Sequence, residues 1–163
     1  MTSKDQEFEA VLEEYRGLIY KIANGYCSNR EDLNDLTQEI ALQIWRSFDD
    51  YNPEYKLSTW IYRIALNTAI SSLRKKTTRE KYVVGSEHAV LEAHTAPESE
   101  QRDLEINKIL QRLDKFDRAL MILHLDGRDY QEISEVLNIS ASNVGTKISR
   151  IKKQLTTEYQ QGK

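Results

Sequence analysis

The feature that most constrains this chain is a helical spacing of apolar residues that fills two blocks and is interrupted once. Apolar side chains recur every three to four positions over residues 6–76 and again over 101–157, which places them on one face of an α-helix. The period fades between the blocks, and the gap is longer than a typical loop within one domain. The pattern therefore predicts an all-α chain of two small helical domains joined by a flexible linker, with boundaries at 1–78, 79–100 and 101–163.

Composition favours helices and excludes several other classes of protein. The 163 residues include only two prolines and six glycines, too few for a turn-rich β-sandwich or β-barrel. The single cysteine, Cys27, excludes an internal disulfide framework and a cysteine-based zinc site. No apolar run approaches the roughly 18 residues of a membrane span, and the amino terminus lacks the order of a signal peptide. We therefore expect a cytoplasmic protein with no stable membrane insertion and no cofactor.

Residues 129–155 carry the spacing of a helix-turn-helix unit. A capping pair, Asp129 and Glu132, opens a short helix that runs to residue 137, and a tight turn separates it from a second helix that begins at about 141. Packing across the turn would leave the outer face of the second helix free to enter a DNA major groove. The apolar residues predicted to make this packing are Ile133, Val136, Val144 and Ile148.

The outer face of that second helix has the chemistry of a DNA-reading surface. Short polar side chains near its start can approach base edges, and long basic side chains can reach bases or phosphates. From Ser140 onward there are five basic residues and one acidic residue, a local charge of +4 against −3 for the whole chain. The alternative is a solvated basic helix end, which suits the helix dipole. We define the recognition face as Ser142, Asn143, Thr146, Lys147 and Arg150.

A second surface suited to nucleic acid lies at a third helix, predicted at about 59–76. Three of its polar and aromatic residues fall at i, i+3 and i+7 on one stripe, and further aromatic and basic residues precede the helix. Aromatic side chains beside lysine and arginine can stack on unpaired bases and hold phosphates. The alternative is that the aromatic residues complete the rim of the core. We define the aromatic stripe as Tyr55, Lys56, Trp60, Arg63 and Asn67.

The helix predicted at 31–48 has a polar side that we define as the acidic face: Asp35, Gln38, Glu39 and Arg46. A carboxylate pair at i and i+4 can serve in a metal site or in acid–base chemistry. No histidine lies near the pair in sequence. A charged helix surface in contact with solvent is far commoner than a catalytic pair, and a face that binds a partner protein is the other alternative to catalysis.

Taken together, these motifs resemble the extracytoplasmic-function (ECF) subfamily of bacterial RNA polymerase sigma factors, in the sigma-70 superfamily. Residues 31–46 look like the core-polymerase-binding helix, residues 57–70 like the promoter-recognition helix that follows it, and residues 130–150 like the C-terminal helix-turn-helix. The sequence departs from the family twice. Ser142-Asn143-Val144-Gly145 stands where Gly-Thr-Val-Lys is frequent, and Lys147 stands where arginine is usual.

The resemblance implies a non-enzymatic alternative sigma factor that directs promoter-specific transcription initiation. The acidic face would bind the clamp helices of the largest subunit of core RNA polymerase. The aromatic stripe would recognise and open the −10 promoter element, and the recognition face would read the −35 element. The implied partners are core RNA polymerase, promoter DNA and an anti-sigma factor.

Two other functions remain open from the residues alone. A stand-alone helix-turn-helix regulator would use the N-terminal half as a sensor or dimerisation module and would bind duplex DNA without polymerase. A helical hydrolase would use Asp35, Glu39 and a metal ion, although the sequence offers no complete ligand set.

Overall fold

The computed structural model describes residues 2–82 and 98–161, with side chains described for 2–72 and 105–161. Every described element is a helix, which confirms the predicted all-α class. The chain divides into two compact units, residues 1–95 and 96–163. Of the predicted linker, residues 83–97 lie outside the described residues. Within the described ranges, no helix has both the length and the apolar character needed to cross a bilayer.

Unit 1 is a bundle of three helices that pack against one another in every pairing. They are α1 (Ser3–Tyr26), α2 (Arg30–Ser47) and α3 (Leu57–Tyr82), with a short 3-10 turn at Phe48–Asp50. The side chains that fill the centre come from all three helices and are essentially inaccessible to water; they include Ile22, Ala23, Ile40, Ile44, Ile61 and Ala65. Burial of these apolar stripes is what drives the three helices together.

Helix α3 is longer and buries a wider face than its spacing predicts. It runs to Tyr82, beyond the predicted end at 76. Six of the nine residues after 73 are arginine, lysine or glutamate, which favour a helix although the apolar period is lost. Tyr62 and Leu66 are each only 2% exposed, although neither belongs to the narrow stripe that the periodicity marks. Helix α3 therefore contacts both other helices of unit 1 rather than one.

The described residues of unit 2 form four helices: α4 (Glu98–Gln111), α5 (Lys115–Leu125), α6 (Tyr130–Leu137) and α7 (Ala141–Gln161). The predicted apolar contacts across the helix-turn-helix are confirmed, since all four of those residues are buried. Asp129 caps α6, where its carboxylate accepts the backbone N–H of Glu132 at 2.8 Å. The cap and the buried apolar residues together fix α7 against α5 and α6.

Two left-handed residues shape the connections of unit 2. Gly127, with φ of 80°, ends α5. The N–H of Gly127 donates to His124 O, and the N–H of Arg128 donates to Leu123 O, the pair of bonds of a Schellman motif. Asn138, with φ of 57°, ends α6 in the same conformation. These reversals set the angle at which each following helix begins.

A buried arginine closes the end of α4. Arg118, on α5, is 7% exposed and donates from Nε to Leu110 O at 2.9 Å. Its Nη2 donates to Gln111 O and Leu113 O, each at 3.1 Å. One guanidinium therefore donates to three carbonyls at and just beyond the end of α4, where helix carbonyls begin to run out of backbone partners.

Candidate functional site

The recognition face stands on α7, whose opposite side is anchored in the core of unit 2. Val144, Ile148 and Ile151 are buried, so the side chains a half-turn away must point outward. Ser140 fixes the start of α7, since its hydroxyl accepts the N–H of Asn143 at 3.1 Å. Four of the five predicted reading residues are exposed: Ser142, Asn143, Thr146 and Arg150.

The fifth residue, Lys147, lies at the edge of the recognition face. It is half-buried, and its ammonium lies 5.2 Å from the ring centroid of Phe116 at the start of α5. The nearby Asp117 carboxyl has a raised pKa, chiefly because of burial and also because of Asp114, while Lys147 acts in the opposite direction. Lys147 is thus held beside α5 rather than at the centre of the exposed face.

Gly145 accommodates an aromatic ring on the other edge. A Cβ atom at this position would lie 3.2 Å from Cε2 of Tyr130, tighter than an ordinary contact. The ring of Tyr130 is 44% exposed at the start of α6, so it stands beside the recognition face. The sequence shows Gly145 as the loss of a frequent lysine. Its contact with Tyr130 joins two helices, so no spacing within one helix could predict it.

The aromatic stripe is only partly open to solvent. Trp60 is half-buried, because its ring packs against those of Tyr51 at 5.0 Å and Phe48 at 6.4 Å between centroids. Tyr51, which the predicted set omits, also donates its hydroxyl to Tyr55 O at 2.6 Å. Trp60 therefore supports the loop before α3 while the loop's other residues face outward.

The outward part of the stripe joins one aromatic ring to cationic side chains. Tyr55 is 55% exposed, and the guanidinium carbon of Arg63 lies 5.7 Å from the centroid of its ring. Lys56 and Asn67 are exposed on the same loop and helix. A turn closes the loop, since Asn52 O accepts the N–H of Tyr55 at 3.1 Å. An exposed ring with an arginine at its side can stack on a base and hold its phosphate.

The acidic face lies along one side of α2. Asp35, Gln38 and Arg46 are exposed, and half-buried Glu39 accepts a hydrogen bond from Gln43 Nε2 at 2.9 Å. Leu42 falls on the same side, seven residues after Asp35, and is 40% exposed. Periodicity alone could have found Leu42, since it interrupts an otherwise polar stripe. The face thus combines one apolar contact with charges of both signs, which suits a protein partner.

In the part of the chain that the structure describes, no three histidine, cysteine or acidic side chains converge closely enough to hold a metal ion. The carboxylates of Asp35 and Glu39 lie on the outer side of α2, where Asp35 is exposed and Glu39 is half-buried.

Comparison with known families and proteins gives consistent matches. Sigma-70 region 2 matches residues 11–79, and Sigma-70 region 4 matches residues 103–155. The ECF RNA polymerase sigma factor SigW of Bacillus subtilis is 30% identical, with 90% of this chain and 86% of the relative covered. The ECF RNA polymerase sigma-E factor of Haemophilus influenzae is 25% identical, with 94% and 87% covered.

Two solved structures share the fold of this chain, and one of them is a sigma factor. CnrH, in complex with the cytosolic domain of CnrY, has a TM-score of 0.72 at 18% identity and covers 98% of this chain and 91% of its own. RpoE of Bartonella quintana, in complex with the anti-sigma factor NepR, has a TM-score of 0.71 at 20% identity and covers 93% and 96%. The acidic face and aromatic stripe fall within the region 2 match, and the recognition face falls within the region 4 match.

Proposed function

The chain belongs to the extracytoplasmic-function sigma factors of the sigma-70 family, and on this premise we propose how its surfaces divide the work of promoter recognition. It is an alternative sigma factor, which binds core RNA polymerase and directs transcription initiation at specific promoters. Residues 1–78 act as the region 2 domain, residues 101–163 as the region 4 domain, and residues 79–100 as the linker between them.

The observation that supports this assignment is that one chain presents two exposed surfaces of different chemistry. Unit 2 offers an exposed polar helix side, suited to the edges of paired bases, and unit 1 offers an exposed ring with an adjacent guanidinium, suited to unpaired bases. A protein that only binds duplex DNA needs the first surface alone. A factor that also opens the duplex needs both.

The recognition face reads the −35 element as duplex DNA. Ser142, Asn143 and Thr146 are short exposed side chains on the first turns of α7, where they can approach base edges. Arg150 lies about one turn beyond Thr146, where a long basic side chain can reach a base or a phosphate. Lys147, held at the edge of the face, contacts the phosphate backbone.

The aromatic stripe recognises and opens the −10 element. An unpaired base stacks on the exposed ring of Tyr55, while Arg63 and Lys56 neutralise the neighbouring phosphates. Asn67 supplies donor and acceptor groups to a base edge. Trp60 does not contact the DNA; it holds the loop before α3 in place through its contact with Tyr51.

The acidic face binds the clamp helices of the largest polymerase subunit. Asp35, Gln38, Glu39 and Arg46 surround Leu42, the arrangement of an apolar contact with a polar rim. We also propose an anti-sigma factor as a partner, because the RpoE chain of the same fold is solved in complex with one.

A gel-shift with and without core polymerase tests this function. The DNA is a promoter that the wild-type protein selects from a random library, and the comparison is a scrambled duplex of equal length. We expect a specific complex only when core polymerase is present, and we expect Asp35→Ala with Glu39→Ala to weaken the complex while leaving the helical content unchanged. If the chain binds the promoter with the same affinity in the presence and in the absence of core polymerase, it is instead a stand-alone regulator.

A further inference from the structure

The first turns of α1 contact Phe48, which in turn packs against Trp60 of the aromatic stripe. We define the amino-terminal clasp as Lys4 and Phe8, two residues that precede the region 2 match, which begins at residue 11. Both contact the end of α2 and the turn that follows it. These contacts belong to none of the three functional surfaces described above.

Each clasp residue makes two contacts. The ammonium of Lys4 lies 2.9 Å from Oδ2 of Asp49 and 4.3 Å from the ring centroid of Trp45, an ion pair together with a cation–π contact. The ring of Phe8 meets Trp45 edge to face at 5.0 Å and meets Phe48 in the same way at 6.0 Å. Such ring pairs are favourable beyond the area that they bury.

A local capping motif places the clasp. The hydroxyl of Thr2 accepts the N–H of Asp5 at 3.2 Å, and the N–H of Thr2 donates to Asp5 Oδ2 at 2.9 Å. Hydrogen bonding of the Asp5 carboxyl to the backbone N–H of Thr2, and secondarily to its side chain, lowers the pKa of Asp5. Because the cap starts α1 at Ser3, Lys4 and Phe8 stand at i and i+4 on one side of the helix.

A continuous series of contacts leads from the amino-terminal clasp to the loop before α3. Phe8 contacts Phe48, Phe48 contacts Trp60, and Trp60 contacts Tyr51. The Tyr51 hydroxyl then donates to Tyr55 O. The exposed ring of Tyr55 is thus connected to α1 through packed rings and one hydrogen bond.

We propose that Lys4 and Phe8 are positioning residues for promoter opening, which hold the loop before α3 ready to capture an unpaired −10 base. This inference rests on the proposed function of the aromatic stripe. A loop already ordered in the free protein loses less conformational entropy when it binds, so its affinity for single-stranded DNA is higher. Binding to core polymerase uses the acidic face and is independent of the clasp.

The first test removes the Phe8 ring. Holoenzyme carrying Phe8→Ala is titrated with a single-stranded oligonucleotide of the −10 sequence selected by the wild type. We expect its affinity for the oligonucleotide to fall about three- to tenfold, the range that corresponds to one or two newly mobile side chains. Affinity for core polymerase should stay unchanged.

Leu18→Ala is the matched control. Leu18 is another half-buried apolar residue of α1, ten positions and therefore about 15 Å further along the helix. Both tryptophans of the chain, Trp45 and Trp60, are in the ring series. Their emission should shift to longer wavelength in Phe8→Ala and not in Leu18→Ala.

The second test keeps the Phe8 ring and exchanges charges. Lys4→Asp and Asp49→Lys should each weaken oligonucleotide capture, and the double variant should restore part of it, since the pair would face each other with opposite signs again. Equal oligonucleotide affinities for Phe8→Ala and Leu18→Ala would overturn the proposal. So would parallel losses of core and oligonucleotide binding, which indicate a structural role alone. If wild-type holoenzyme ignores the −10 sequence, the proposed function fails instead.

Discussion

Replacing Arg118 by methionine should destabilise unit 2 more than any single surface change. The methionine side chain extends along a similar path but has no hydrogen-bond donor. The three carbonyls at the end of α4 therefore lose their hydrogen bonds from the guanidinium. Leu110 O keeps the N–H of Leu113 at 3.0 Å, and the partly buried carbonyl of Gln111 can turn to water. Leu113 O, at a buried position, keeps no donor that the described structure provides.

The size of the effect follows from these three cases. One buried carbonyl without a partner costs about 1–3 kcal/mol, and losing two shared charge-assisted bonds adds to this. Relief from burying a charge offsets part of the loss. We expect the free energy of unfolding to fall by about 2–3 kcal/mol, a large share of the stability of a small domain. Arg118→Lys should lose about half as much, since one ammonium cannot span all three carbonyls.

Two spectroscopic signals separate the units in a denaturant titration. Helical circular dichroism reports on the whole chain, whereas tryptophan fluorescence reports on unit 1, because Trp45 and Trp60 both lie there. Arg118→Met should move part of the dichroism transition to lower denaturant and leave the fluorescence midpoint in place. An unchanged dichroism curve would refute the reasoning, because it would mean that the three bonds contribute nothing net.

Further predictions concern single residues. Gly17→Ala should raise the stability of unit 1 by about 0.5–1 kcal/mol, since an added Cβ meets nothing within 4 Å. Gly127→Ala should lower the stability of unit 2 by ~1 kcal/mol, because φ at this position is 80°. Chemical denaturation measures both, and equal signs would contradict the backbone argument. Burial, with a smaller effect from Lys152, lowers the pKa of His124 below 6.5. The unfolded chain therefore takes up the proton first as the pH falls, and the stability of unit 2 should decline from about pH 7 downward. The slope should shrink in His124→Gln. Leu42→Asp should weaken core polymerase binding about tenfold or more while leaving the helical dichroism unchanged. Retained core affinity would show that core polymerase binds a surface other than the acidic face.

The parts of the fold that could be predicted are those in which one helix carries its own signal. The apolar spacing around Ile133 and Val144 is local, and it located the helix-turn-helix packing that the structure confirms. The apolar period predicts an end of α3 at 76, which is wrong, because the last turns of the helix lack that period yet remain helical. The spacing of apolar residues indicates which part of a helix is buried, and a helix can continue beyond its buried part.

The exposed residues of the candidate site can be predicted from the sequence. The contacts between side chains from different segments cannot. The exposed residues of the recognition face follow directly from the buried ones on the opposite side of α7. The packing of Trp60 on Tyr51 and the position of Lys147 beside Phe116 depend on residues from different segments. Such pairs meet only in the folded chain, so no spacing within one segment could reveal them.

Transcription from a randomised promoter library tests the central claim most directly. Core polymerase is mixed with the purified chain and with templates randomised through the −35 and −10 positions, and the transcribed templates are sequenced. We predict transcripts that depend on the added chain and that come from templates enriched in two separate sequence blocks, with Arg150→Ala relaxing only the upstream block. Transcription equal to that of core polymerase alone, or enrichment of no sequence, would contradict the account.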